Sequence, residues 1–223
     1  MTSSTRWAAV LFDLDGTLAD TEALILRSYR YTMMEHLGEV PPEERFLSTM
    51  GRPLPIQIRA FAESDEQSER MRRTYVEYQR TIHDDMVTSF PGAGNVLSTL
   101  RGHGTRLAVV TSKATGIARR TLECCGLLGA IDYIICANEV SEPKPHPESV
   151  ERALTEFALE TRRDEVVFVG DSPFDLQAGR AAGVRTAAAL WGPFSREVLN
   201  LEEPDYHLTD IEDVLGTGPG LAT

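Results

Sequence analysis

Cysteine is scarce in this chain of 223 residues. The three cysteines are Cys124, Cys125 and Cys136. Two of them are adjacent, and no pair has the Cys-x-x-Cys spacing. This pattern argues against a disulfide framework and against a zinc site. The three thiols are expected to behave as small apolar side chains in a reducing compartment.

Long apolar runs and long basic runs are also missing. No apolar run approaches the roughly 20 residues of a membrane-spanning helix, and the N-terminus lacks the apolar stretch of a signal peptide. Consecutive basic residues occur only in pairs, and the formal net charge is −12, whereas nucleic-acid-binding proteins show a basic patch. The sequence therefore predicts a soluble cytoplasmic protein that contacts neither membrane nor nucleic acid. We expect a monomer or a weak homodimer.

Lysine is the third scarcity, because the 22 basic residues include only Lys113 and Lys144. A compact ammonium and a planar guanidinium are not interchangeable. The two lysines therefore either mark sites that need a point charge or reflect chance, and composition alone leaves both open.

The net negative charge repels phosphorylated substrates, so any phosphate site must be local and must combine a metal with a few cations.

Short apolar runs alternate with helical patterns along most of the chain. This alternation predicts a parallel sheet covered by helices on both faces, an α/β fold with a Rossmann-like core. The predicted helices between the later strands are 115–125, 147–159 and 173–182. The five predicted strands are 6–12, 106–110, 132–136, 165–169 and 185–190.

The stretch from 18 to 88 breaks the alternation and shows no convincing strand. Amphipathic helices are predicted there over 22–37, 53–62 and 66–84. About 70 helical residues between the first two strands indicate an inserted, all-helical cap domain. The predicted domains are therefore a core of 1–17 and 89–223 and a cap of 18–88, with the hinge at both ends of the cap.

Polar and acidic residues follow the predicted core strands. Ligands bind beyond the carboxyl ends of the strands in an open parallel sheet, so we expect these residues to share one edge. They are Asp13 and Asp15 after the first strand, Thr111, Ser112 and Lys113 after the second, Lys144 after the third, and Asp171 and Asp175 after the fourth. A turn, a helix cap or a solvated loop would explain each motif alone, but the joint placement favours a functional site.

These residue types suit phosphoryl transfer. Asp13 and Asp171 can supply the hard oxygen ligands that Mg²⁺ prefers, and a carboxylate can attack phosphorus to form an acyl phosphate. Asp15 can donate a proton to the leaving oxygen and later accept one from water. Lys144 and Thr111 can hold the non-bridging oxygens.

The four motifs resemble those of the haloacid dehalogenase superfamily over nearly the whole chain. They are Phe12-Asp-Leu-Asp-Gly-Thr-Leu18, Val110-Thr-Ser-Lys113, Lys144-Pro-His-Pro-Glu148 and Val169-Gly-Asp-Ser-Pro-Phe-Asp175. The resemblance implies Asp13 as nucleophile and Asp15 as acid and base, with the Asp15 backbone carbonyl on Mg²⁺. It implies Asp171 as the second carboxylate ligand, Asp175 as a further ligand or supporting acid, and phosphate binding by Thr111, Ser112 and Lys144.

Several branches of the superfamily are distinguished by their motifs. The dehalogenases lack the second aspartate that is present here as Asp15. The segments 74–85 and 190–194 resemble the PpaX-type pyrophosphatases, and the phosphoglycolate phosphatases are close to them. The predicted function is hydrolysis of a small phosphorylated metabolite or pyrophosphate. The alternatives are a sugar phosphomutase, a sugar-phosphate phosphatase and a non-catalytic regulator with the same fold.

Three further residues have competing interpretations. Arg52, in the cap, can reach a distal phosphate or carboxylate of the substrate, or it can be solvated. Lys113 can line the entrance of the site or face solvent. His83 is expected to pack or to cap a helix, because the mechanism needs no further base.

Overall fold

A six-stranded, all-parallel sheet forms the centre of the computed structural model, which describes residues 6–219. The eight strands within residues 6–219, in chain order, are β1 Ala9–Phe12, β2 Ala19–Asp20, β3 Thr88–Ser89, β4 Arg106–Thr111, β5 Tyr133–Cys136, β6 Val166–Gly170, β7 Arg185–Ala189 and β8 Tyr206–Leu208. The order in the main sheet is β5-β4-β1-β6-β7-β8. The predicted α/β class with a Rossmann-like core is confirmed.

Helices cover both faces of this sheet. The nine α-helices of residues 6–219 are α1 Glu22–Leu37, α2 Glu43–Leu47, α3 Leu54–Arg59, α4 Asp65–Met86, α5 Ala93–Gly102, α6 Thr115–Cys124, α7 Glu148–Phe157, α8 Pro173–Ala181 and α9 Arg196–Asn200. Alternate residues of β1 enter different hydrophobic clusters, with Val10 and Phe12 in one and Ala9 and Leu11 in the other. This is the pattern of a strand that is buried on both faces. No helix in residues 6–219 has the length and apolarity to cross a bilayer.

Helices α1 to α4 form a separate hydrophobic cluster above the carboxyl edge of the sheet. Tyr29 stacks on Phe46 with ring centroids 4.4 Å apart, and α1 packs along the long helix α4. The antiparallel pair β2–β3 joins the two connections between this cluster and the core. The inserted helical cap is therefore present, and 18–88 remains our proposed extent for it.

The structure differs from the sequence prediction in short elements. The cap segment was expected to contain no strand, yet β2 lies inside it and β3 straddles its end. These strands are two residues long, which is too short to produce a periodic pattern. Helices α2, α5 and α9 and strand β8 were not predicted either. The predicted core segments include residues 1–5 and 220–223, which lie outside the described part of the chain.

Candidate active site

Three carboxylates and one ammonium meet at the carboxyl edge of the sheet. Asp13 follows β1 directly, and Asp171 follows β6. Asp175 lies on the first turn of α8, and Lys144 lies in the loop between β5 and α7. Carboxylate oxygens of the three acids lie within 4.8 Å of one another. All four side chains are almost completely shielded from solvent.

Lys144 holds this group together. Its Nζ donates to Asp13 Oδ1 at 2.9 Å, to Asp175 Oδ1 at 2.6 Å and to the carbonyl of Val110 at 3.1 Å. Burial alone lowers the pKa of a lysine, but the charges of Asp13 and Asp175 outweigh this effect, and the pKa of Lys144 is raised. Lys144 is therefore a cation that links the residue after β1, strand β4 and the first turn of α8.

The acids outnumber this single cation. Burial, followed by the charge of Asp175, raises the pKa of Asp13 to about 7, against the opposing effect of Lys144. Burial and the charges of Asp13 and Asp175 raise the pKa of Asp171 well above its usual value. Full ionisation of three buried carboxylates beside one ammonium would leave a surplus of negative charge, and hard oxygen donors of this kind fit Mg²⁺. Asp13 and Asp171 are the residues that could hold it.

The loop after β1 approaches Asp171 closely. Thr17 donates its hydroxyl to Asp171 Oδ1 at 2.7 Å. Gly16 has φ +77°, and a Cβ at this position would lie 2.5 Å from Asp171 Oδ2. A larger residue would be strained and would collide with the carboxylate. Gly16 of the first motif thus allows the Asp171 side chain to lie against the loop that follows Asp13.

Asp15 has different partners from the other acids. Its Oδ1 accepts hydrogen bonds from Lys113 Nζ and, at 2.5 Å, from Thr21 Oγ1. Its side chain retains 19% exposure, so it reaches the edge of the buried group. The sequence left open whether Lys113 lines the entrance of the site or faces solvent, and neither interpretation included its contact with Asp15. The hydroxyl of Thr21 was missed, because the motif signal ends at Leu18.

The predicted phosphate-binding hydroxyls of Thr111 and Ser112 both lie on the core side of the cap boundary. Thr111 is buried at the end of β4, and its Oγ1 accepts from the backbone N–H of Lys113 at 3.2 Å. Ser112 donates its hydroxyl to the carbonyl of Gly51, a cap residue, at 2.5 Å. Cap and core are therefore in direct contact beside the site.

A cavity of about 470 Å³ lies between the cap and the core. Asp13, Asp15 and Asp171 line its floor, together with Thr111 and Lys113. The cations among the remaining lining residues are Arg52, Arg72 and Arg80, all on the cap side. Arg52 therefore lines the cavity that contains the acids, and its contact with a substrate stays a prediction.

His83 does not line this cavity. It is buried on α4, where Nδ1 pairs with Asp84 Oδ1 at 2.7 Å and Nε2 with Thr121 Oγ1 at 2.9 Å. Asp84 also forms two hydrogen bonds with Arg120 of α6, each 2.8 Å long. His83 thus packs where the cap helix meets the core, in agreement with the structural role expected for it.

The site and the fold agree with the comparison to known families. The model of the haloacid dehalogenase-like hydrolases matches residues 10–189. The chain belongs to this family. Its relatives include a protein of Caldanaerobacter subterraneus subsp. tengcongensis with the provisional name pyrophosphatase PpaX, 38% identical over 93% of this chain and 92% of its own length. The pyrophosphatase PpaX of Bacillus velezensis is 32% identical over 94% of this chain and 95% of its own length.

Solved structures give the same fold. A predicted phosphoglycolate phosphatase of Haemophilus somnus 129pt superposes with a TM-score of 0.86 at 22% identity, covering 96% of this chain and 99% of that one. A haloacid dehalogenase-like family hydrolase of Streptococcus pneumoniae superposes with a TM-score of 0.81 at 27% identity, with the same coverage. The family and the named relatives identify the chain as a haloacid dehalogenase-like phosphatase.

Proposed function

We propose that this enzyme is a Mg²⁺-dependent phosphate hydrolase that works through an aspartyl-phosphate on Asp13, with pyrophosphate as its preferred substrate. The observation that carries the proposal is the group of Asp13, Asp171, Asp175 and Lys144 at one edge of the sheet. The enzyme would act on small phosphorylated compounds as a monomer or weak homodimer.

The metal requirement follows from the charge of the site. Asp13 and Asp171 would hold Mg²⁺ together with the backbone carbonyl of Asp15, the ligand that the family resemblance implies. When bound, the ion supplies positive charge that offsets the repulsion between the carboxylates and an anionic phosphate. Lys144 cannot supply that charge alone, because Asp13 and Asp175 already share it.

The chain's own residues can perform both halves of the reaction. A carboxylate oxygen of Asp13 attacks phosphorus while the bond from phosphorus to the leaving oxygen breaks. Asp15 gives its proton to that leaving oxygen and then takes a proton from the attacking water. Water cleaves the acyl phosphate, so Asp13 is regenerated and phosphate leaves. Lys144, Thr111 and Ser112 hold the non-bridging oxygens during both steps.

Two observations support pyrophosphate as substrate. The relatives named pyrophosphatase PpaX align over more than nine tenths of this chain. The cap also brings Arg52 and Arg80 to the cavity, where guanidinium groups can bind a leaving phosphate. Arg72 lines the cavity too, but its guanidinium already donates two hydrogen bonds to Glu69, each 2.7 Å long. Phosphoglycolate, whose carboxylate could use the same cations, is the second candidate.

The deciding experiment compares kcat/KM for pyrophosphate, phosphoglycolate and several sugar phosphates at one Mg²⁺ concentration, with an EDTA-treated sample as control. Pyrophosphate should rank first, and EDTA should abolish turnover. A tenfold advantage for a sugar phosphate, about 1.4 kcal/mol in transition-state binding, would refute the pyrophosphate assignment. Rapid turnover of p-nitrophenyl phosphate without any sugar bisphosphate would separate a hydrolase from a phosphomutase.

A further inference from the structure

The cavity is larger than pyrophosphate needs. Its volume of about 470 Å³ corresponds to roughly fifteen waters at about 30 Å³ each. Pyrophosphate has only nine non-hydrogen atoms, and its transferred half must lie against Asp13. The volume instead falls in the range of cavities that bind larger organic ligands, about 300–1,000 Å³.

Apolar side chains from both domains form the walls of the cavity. Ile25 of α1, Leu54 of α3 and Val76 of α4 line it from the cap, and Ile117 of α6 lines it from the core. All four are half-buried. The three cap residues rest on the hydrophobic cluster of the cap, so their positions are supported from behind. Apolar walls offer little to a bare inorganic anion but can desolvate hydrocarbon.

Gln57 is one of the polar residues among these walls. Gln57 lines the cavity and is about nine-tenths buried. Its Nε2 donates to the carbonyl of Arg52 at 2.6 Å, but its Oε1 accepts no hydrogen bond from the described residues. A buried acceptor without a donor is costly. A hydroxyl on a ligand would satisfy it.

We propose that the same site also hydrolyses phosphate monoesters whose alcohol has an apolar body and a distal hydroxyl group. This inference rests on the proposed phosphoryl-transfer chemistry of Asp13. The apolar body lies between Val76 and Ile117, and the distal hydroxyl donates to Gln57 Oε1. The bond from phosphorus to the alcohol oxygen breaks, the bond from Asp13 to phosphorus forms, and the alcohol leaves with the proton of Asp15.

A series of synthetic monoesters tests the apolar walls. We would measure kcat/KM for pyrophosphate and for ethyl, butyl, hexyl and 6-hydroxyhexyl phosphate under one Mg²⁺ concentration. Each added methylene should raise kcat/KM about fourfold until the cavity is filled, from about 0.8 kcal/mol for each buried CH₂. A flat or falling series beside active pyrophosphate hydrolysis would overturn this inference alone. Failure with every phosphate compound would overturn the proposed function instead.

Substitutions in the apolar walls of the cavity test where the alkyl chain of the substrate binds. Ile117→Thr and Val76→Thr should each lower the ratio of kcat/KM for hexyl phosphate to that for pyrophosphate by about tenfold, the scale of hydrophobic-pocket discrimination. Ile56→Thr is the matched control, because Ile56 of α3 is 40% exposed and lies outside the cavity lining. Its ratio should equal that of the wild type. If Ile117→Thr and Val76→Thr kept the same kcat/KM ratio as Ile56→Thr and the wild type, the placement of the apolar body would be contradicted.

The hydroxyl contact has its own variant. Gln57→Leu removes the acceptor and keeps an apolar side chain of similar size. In the wild type, 6-hydroxyhexyl phosphate should be preferred over hexyl phosphate, and in the variant this preference should disappear or reverse. A preference that survives Gln57→Leu would overturn the assignment of Gln57, and hexyl phosphate kinetics in the same variant show whether the cavity is intact.

Discussion

Lys144 shows how one residue can define an active site before any substrate binds. Its ammonium contacts the proposed nucleophile Asp13 and the acid Asp175 at the same time. It therefore keeps one carboxylate oxygen of Asp13 fixed, while the other side of the group remains available to a metal and to phosphorus. Arginine has a longer, planar head with a different geometry, so it cannot replace this point charge.

Asp13→Asn should abolish hydrolysis while leaving the protein folded. The amide is close in shape to the carboxylate and can still accept from Lys144, but it cannot attack phosphorus to form an acyl phosphate. Steady-state turnover of p-nitrophenyl phosphate should fall by more than the 10²–10⁴ typical of acid–base groups. Circular dichroism checks the fold. A variant that keeps more than about a hundredth of the wild-type rate would exclude Asp13 as nucleophile.

Asp15→Asn should affect substrates according to their leaving groups. An alkoxide needs a proton as it departs, whereas nitrophenolate is already a good leaving group. The first step should therefore slow much less for p-nitrophenyl phosphate than for an alkyl phosphate. Rapid-quench measurements of leaving-group release check this. Equal losses for both substrates would argue against Asp15 as the acid.

The sequence predicted which residues meet at the carboxyl edge of the sheet better than it predicted the contacts that they make there. Asp13, Asp171 and Lys144 follow strands, and the common edge of a parallel sheet brings them together. The partners of Asp15 depend on the path of the chain after Leu18, which no local pattern specifies. The Gln57 acceptor, which has no donor among residues 6–219, depends on how α3 packs, so it became visible only in the fold.

At the scale of elements, the contact between cap and core depends on the loop before α3. Gly51 has φ +92°, and a Cβ there would collide with the side chain of Ser172. Its carbonyl accepts from Ser112. The cap thus approaches the core through a backbone position that cannot carry a side chain.

Gly51→Ala should hold the cap away from the core and lower kcat/KM by about 10²-fold, the usual scale for a misplacement of about 1 Å. The loss should be measured with pyrophosphate and with p-nitrophenyl phosphate. Gly38→Ala is the matched control. It has a similar φ of +74° with nothing within 4 Å of the added Cβ. It should cost about 1 kcal/mol of stability and leave the kinetics intact. Equal activity in both variants would contradict a steric role for Gly51.

Prediction of the elements succeeded where periodicity was long. The helix predicted over 22–37 has those bounds in the structure, and the strands near 106–110 and 132–136 differ by only one residue at one end. Strand β8 has three residues and helix α9 five, so neither spans enough of a period to stand out. Gly92, the residue directly before helix α5, has a left-handed conformation. The Pro91-Gly92 turn gave no sequence signal for the start of this helix.

At the scale of the whole molecule, the active site is a source of instability. Asp13, Asp171 and Asp175 bury three carboxyl groups against one ammonium, and their desolvation and mutual repulsion oppose folding. The Mg²⁺ proposed above would offset this cost. Anything that binds the folded state alone raises its stability, by about 2.7 kcal/mol at 100 times the dissociation constant.

Asp171→Asn should therefore abolish activity and yet keep or raise the melting temperature in EDTA. The amide oxygen can still accept from Thr17, and the cost of burying an acid beside Asp13 and Asp175 is gone. Each 1 kcal/mol gained corresponds to about 2–4 °C for a protein of this size. Mg²⁺ should raise the melting temperature of the wild type and have little effect on the variant. Thermal denaturation with and without Mg²⁺ measures both.

The surface variant Asp65→Asn serves as the control for this comparison. Asp65 has a 93% exposed side chain and pairs with Arg59 at 2.7 Å, an interaction of little net value. Its melting temperature should respond to Mg²⁺ as the wild type does. A strong destabilisation of Asp171→Asn in EDTA would contradict the view that repulsion dominates at the site.

The pairing of β2 with β3 has a consequence for protein engineering. Ala19 faces Ser89 across this antiparallel pair, so the two ends of the inserted segment lie about 5 Å apart. A tight turn of two residues spans such a gap. The cap could therefore be excised, or exchanged for that of a relative, without stretching the sheet beneath it. A capless version would turn an enclosed site into an open one and admit phosphorylated macromolecules.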